Sequence, residues 1–188
     1  PVYETWMRIP GGDVIQRSAV TTDGNGRTLV WQFENASPEA VVVAVVGLTK
    51  GRVHAELSCT ELDGVPWIRP CVDAGAVVAG PEVWSLVEAD PSAASADGEN
   101  EAAVLVPLPH RQSITVLVSI TGDLPARPTA PEDVAAGWKA ITADAMTVDV
   151  PDVDLSAAWR RVLGDLVLAV GDDDPIAAGE AAWWLDLA

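Results

Sequence analysis

Asp23-Gly24-Asn25-Gly26-Arg27-Thr28-Leu29-Val30-Trp31-Gln32-Phe33-Glu34 reads as a tight turn followed by a half-buried strand. Glycine and asparagine tolerate the positive φ that short hairpins require, so residues 23–26 join two strands. Leu29, Trp31 and Phe33 then alternate with Val30, Gln32 and Glu34, the period of two expected where one sheet face meets the core. Trp31 is placed on that inner face. Similar β-rich stretches cut by turn residues lie at 13–20, 28–33, 41–48, 53–57, 65–69, 77–79, 83–87, 103–108 and 114–120. Their spacing is that of an antiparallel sandwich.

The chain has 188 residues, of which 49% are hydrophobic and 21% charged, enough for one sizeable core. Its longest apolar run, Val41 to Val46 extended through Gly47 and Leu48, is far too short to cross a bilayer, so no transmembrane segment is expected. Acidic residues number 28 against 11 basic ones, a formal net charge of -17. That balance repels phosphates and anionic headgroups and argues against nucleic acid or a membrane surface as partner. The acidic excess is spread along the chain, as in a highly soluble surface, and does not point to a cation site.

Cys59 and Cys71 are the only cysteines, and they flank Asp63-Gly64, read as a two-residue hairpin turn. Pairing across that turn sets Cys59 opposite Ile68 and Cys71 opposite Glu56, out of register with each other, so free thiols are expected. Free thiols favour a reducing, cytoplasmic location.

The fold class is mainly β with C-terminal α. Residues 1–122 form the antiparallel β-sandwich, with the polar stretch Asp90 to Glu101 as a surface loop between strands. Residues 123–150 are a linker: Gly122 to Pro131 carries three prolines, and a helix then runs from Pro131 to about Ala145. Val134, Trp138, Ile141 and Ala145 make one apolar stripe on it. Residues 151–188 form an αα-hairpin, with helices at about Asp154 to Val170 and Ile176 to Leu187 and a break at Gly171 to Asp174. Its apolar surface is wider than a surface helix needs. Trp183 and Trp184 are therefore expected to meet a missing C-terminal helical domain or a second copy of the chain.

Four local stretches then bear on family: Gly12-Asp13-Val14-Ile15-Gln16-Arg17, Phe33-Glu34-Asn35-Ala36-Ser37-Pro38 before a valine-rich strand, Pro107-Leu108-Pro109-His110-Arg111, and Gly137-Trp138. Together with the order sandwich, linker helix, helical hairpin, they resemble the amino-terminal portion of the six-hairpin (α/α)6-toroid glycoside hydrolases, the glycogen-debranching-like group. The resemblance implies a supersandwich-like domain in carbohydrate metabolism, noncatalytic and packed against a helical toroid. In that family the paired acidic catalytic residues sit on the toroid, mostly beyond its first hairpin, so the resemblance assigns no catalytic residue here. The alternative is a self-contained carbohydrate-binding or protein-interaction module with a helical docking tail.

Glycoside hydrolysis needs two carboxyls at fixed separation, and Asp172, Asp173 and Asp174 are the obvious cluster. Helix capping and a solvated loop account for them first, a sugar site at the end of a toroid second. Eight tryptophans against one Phe and one Tyr suggest indole stacking on sugar rings. Trp31, Trp138 and Trp159 fall on apolar faces and read as core, whereas Trp6, Trp67 and Trp84 are less constrained. Trp67, beside Pro66 in a hairpin, is the leading ligand-binding candidate. His54-Ala55-Glu56 with Pro70-Cys71 is an incomplete zinc-deaminase pattern, because position 74 is Ala74 where a second cysteine is needed. His110 with Ser113 or Ser119 lacks a nucleophile-elbow motif, and no glycine loop precedes a helix and lysine. Asn35-Ala36-Ser37 fits a glycosylation acceptor but is read as a turn, since Pro38 follows. No metal and no cofactor are expected.

Overall fold

Two antiparallel sheets face each other in the computed structural model, which describes residues 2–24, 26–56, 58–80, 83, 100–143, 154–159 and 161–162. The strands are β1 (Val2–Ile9), β2 (Gly12–Asp23), β3 (Gly26–Asn35), β4 (Val41–Leu48), β5 (Val53–Ala55), β6 (Thr60–Leu62), β7 (Val65–Pro70), β8 (Ala76–Ala79), β9 (Glu101–Leu108) and β10 (Ser113–Gly122). The larger sheet has the order β1-β2-β3-β10-β7-β6-β5 and the smaller β4-β9-β8. The mainly β class with helix following is thus observed.

Alternation builds the core. Val14, Phe33, Ile68, Ile114 and Val116 of the larger sheet pack against Val45, Val104, Val106 and Leu108 of the smaller. Trp31 packs half-buried against this cluster, with its ring edge-on to Phe33 at a centroid distance of 6.4 Å. Its expected inner-face position is correct.

The other face of the larger sheet breaks the alternation. Ala19, Val30 and Leu117 are directly paired across β2, β3 and β10, point away from the core, and are all buried. Arg69, paired with Leu117, donates from its guanidinium to the carbonyl of Pro125. Leu124 and Pro125 are half-buried, so the chain beyond Gly122 stays with the sandwich, and the compact unit extends over Val2–Pro131 where the sequence set its end at 122.

Two strands had no counterpart in the sequence reading. β1 is an edge strand with four exposed residues in succession, so no burial rhythm marks it, and β6 is only three residues long. The expected strand at 83–87 lies outside the described residues except for Val83, which is buried and helical, not extended.

The Asp63-Gly64 turn is as expected, with positive φ at both residues and Leu62 paired to Val65. Beyond it the register differs. Glu61 pairs with Pro66, but Thr60 pairs with Ile68, leaving Trp67 as an extra residue in a bulge. Proline at 66 has no N–H for the ladder, which suits an irregularity at this point. Cys59 and Cys71 are both free thiols.

The second unit begins at Glu132. Helix α1 (Pro131–Ile141) opens with acidic Glu132 and Asp133 and carries Lys139 in its last turn, each matching the helix dipole. Val134 and Trp138 are half-buried and Ile141 is exposed. The helix ends short of the expected Ala145, where the Thr142 N–H and hydroxyl both donate to the Trp138 carbonyl, at 3.0 and 2.9 Å. Residues 154–159 and 161–162 are helical, with Leu155 and Val162 exposed. The rest of the expected hairpin, with Asp172, Asp173, Asp174, Trp183 and Trp184, lies outside the described residues. Among the described residues no helix is long and apolar enough to cross a membrane.

Candidate functional site

The solvent face of β1, β2 and β3 gathers the most chemically varied patch of the sandwich. Register places Glu4 beside Arg17 and Arg17 beside Gln32, while Trp6 lies beside Ile15 and Ile15 beside Glu34. Because side chains alternate along a strand, these residues share one face, opposite the one that carries Val14 and Phe33. Ile15 is buried there, an apolar floor between Trp6 and Glu34.

Hydrogen bonds tie the patch into one array. The Trp6 indole N–H donates to Glu4 Oε1 at 2.8 Å, and the other Glu4 oxygen accepts from Arg17 Nε at 2.9 Å. Arg17 also donates to Glu34 Oε2 at 2.8 Å and to Gln32 Oε1 at 3.3 Å. The Glu34 bond chiefly holds the guanidinium above its ordinary pKa, with Glu4 adding to it against the opposing cost of burial, so Arg17 is a fixed cation. Two carboxylates against one guanidinium leave the array mildly negative. Trp6 is 61% exposed, with its N–H engaged and its ring held at the edge of the sheet. An exposed indole face beside planar donors and acceptors can take the C–H face of a pyranose while its hydroxyls meet Gln32, Glu34 and Arg17.

Trp67, the leading candidate from sequence, has a different place. It is half-buried and packed on the core, with its ring directed at Gly47 of the opposite sheet. The bulge turns it inward, and that removes the free ring face a sugar needs. Trp6 was recognised only as unconstrained. The signal that singles it out is the i, i+2 spacing Glu4-x-Trp6 on a strand whose partner face carries Arg17, and it requires the register.

The remaining motifs resolve as local structure. Asn35 and Ser37 are buried, and Asn35 Nδ2 donates to the carbonyls of Glu39 and Leu108 at 2.7 and 3.1 Å. Its Oδ1 accepts from the Ser37 N–H and hydroxyl at 2.9 and 2.7 Å. An amide so enclosed cannot be a glycan acceptor in the folded chain. His110 Nδ1 bonds the Ser37 carbonyl, not Ser113 or Ser119, and the Ser119 hydroxyl donates to the Gly122 carbonyl at 2.7 Å. His54 Nε2 lies 3.4 Å from Glu56 Oε1, both exposed, and among the described residues no group of three or more His, Cys, Asp or Glu is placed to hold a metal. Burial, then the charges of Glu61 and Glu56, push the Cys59 thiol up.

No protein-family model, no curated protein and no solved structure matches this chain.

Proposed function

We propose that the sandwich is a noncatalytic carbohydrate-contacting unit, with the Trp6 face of β1–β3 as its sugar platform. The observation that carries this reading is the exposed indole held by Glu4 within the Glu4–Arg17–Glu34 array. A flat sheet face offering one ring and several fixed polar groups suits one or two sugar residues of a longer chain. The excess of carboxylates favours neutral sugars over uronates or sulfated glycans. The order of elements adds the wider context of a glycoside-hydrolase-like protein in carbohydrate metabolism, in which such a unit sits beside a helical catalytic domain.

A panel of neutral oligosaccharides titrated by calorimetry tests the platform. Saturable binding by the native chain that falls tenfold or more in Trp6→Ala supports it, a loss in line with removing about 1 to 3 kcal/mol of stacking and burial. Absence of binding across the panel, or binding untouched by Trp6→Ala, removes it.

A further inference from the structure

Resting on the sugar-platform reading, we infer that the ligand is an extended, β-1,4-linked neutral glycan lying across the strands, from Trp6 on β1 to Thr115 on β10. The Glu4–Arg17–Glu34 array takes its first rings, and register continues the platform beyond that array. Gln32 is paired with Thr115 and Glu34 with Ser113, so two straight rows cross four strands. One row is Glu4, Arg17, Gln32 and Thr115; the other is Trp6, Ile15, Glu34 and Ser113. Residues two apart on a strand point the same way, so both rows face one side.

Burial sets the direction of the bound chain. The neighbouring row along the strands, Ala19, Val30 and Leu117, is at most 2% exposed, whereas the Glu4 and Glu34 side chains are 41% and 42% exposed and Ser113 is exposed. On the opposite side the sheet narrows, since β3 ends at Asn35 and β10 begins at Ser113. The accessible strip is therefore two residues wide along the strands, about 7 Å, and three strand spacings long across them, about 14 Å. A chain running along the strands would meet the buried row after about one ring. A chain running across them finds a polar side chain at every strand.

The linkage follows from the straightness of the strip. A strand spacing of about 4.8 Å is close to the length of one ring in an extended chain. A β-1,4-linked chain keeps that extension, whereas an α-1,4-linked chain curls away from a straight row after its first contacts. The far end is also chemically suited to ring hydroxyls. Gln32 accepts from Arg17 at its amide oxygen and has its N–H groups left to donate, and the Thr115 and Ser113 hydroxyls have no partner among the described residues.

The test is calorimetry on the full chain with disaccharides, tetrasaccharides and hexasaccharides of β-1,4-linked glucose, mannose and xylose, and with maltotetraose as the α-linked control. In the series that binds, affinity should rise roughly tenfold or more from disaccharide to tetrasaccharide and change little at the hexasaccharide, with maltotetraose no tighter than the disaccharide. Thr115→Val, which keeps the shape of the side chain, should leave the disaccharide unchanged and weaken the tetrasaccharide roughly fivefold, the loss of one hydrogen bond. Trp6-dependent binding that is no tighter for the tetrasaccharide, equally tight for maltotetraose, or untouched by Thr115→Val overturns the extended track and leaves the platform standing. Absence of binding throughout, or binding untouched by Trp6→Ala, removes both. The length series is read on the unaltered protein, so its outcome stands even where Thr115→Val fails to fold.

Discussion

A methyl group on Gly47 would stand 2.4 Å from Cη2 of Trp67, and 2.9 Å from Cδ1 of Ile68. Adjacent residues of β7 thus reach the same point on β4, which regular alternation forbids and the bulge at Trp67 permits. The two sheets come this close because one of the facing residues has no side chain.

Gly47→Ala should accordingly destabilise the sandwich by about 1 to 3 kcal/mol through overpacking. Urea unfolding measures it. Adding Trp67→Leu to Gly47→Ala should cost less than the two single changes summed, because the larger ring is the clashing partner. Additive losses would show that Gly47 is needed for another reason.

Asn35→Ala should cost about 2 kcal/mol or more, since it strips the Leu108 carbonyl and the Ser37 N–H of a buried partner, while the Ser37 hydroxyl keeps the Glu39 carbonyl at 3.0 Å. Thermal unfolding of the variant checks this. Passage of the native chain through a secretory host should add no glycan mass at Asn35 once it has folded.

Arg17→Met should separate orientation from stability at the Trp6 face. The salt bridges to Glu4 and Glu34 are partly solvent-accessible, so unfolding should shift by about 1 kcal/mol at most. Sugar affinity should nevertheless fall, because Glu4 loses the cation that holds it against the indole N–H. Calorimetry and urea melts on the same variant give both readings.

The Cys59 thiol titrates above its ordinary value of 9.0 because burial and nearby carboxylates oppose the thiolate. A raised folded pKa contributes stability below the unfolded value and loses it as pH rises through the folded one. As pH rises above the ordinary thiol range the native chain should therefore lose stability faster than Cys59→Ser. At neutral pH, alkylation of Cys59 should be slower than that of a free thiol of ordinary pKa.

Strand sequence was legible wherever one face met the core: Leu29, Trp31 and Phe33 gave β3 its inner face, and Asp63-Gly64 gave the β6–β7 turn. The outer face was not legible, because Val30 and Leu117 are buried on that side as well, and nothing in a period of two announces a second cover. Trp67 was misplaced for a related reason. A one-residue bulge reverses every side chain beyond it, and only the observed pairing of Thr60 with Ile68 reveals it. Trp6 could not be chosen over the other tryptophans until register set Arg17 and Glu34 beside it.

The position of β10 between β3 and β7 also has a consequence during synthesis. Phe33 pairs with Ile114, about eighty residues later in the chain. At typical rates of about 5 to 20 residues per second, a ribosome takes roughly 4 to 16 seconds to cover that distance. Through that interval β1, β2 and β3 can pair with one another, but the far edge of β3 lacks its partner and the inner face of Trp31 and Phe33 meets only β4, without the β9 that pairs with it. A nascent chain of this protein thus exposes an unpaired strand edge until β9 and β10 emerge.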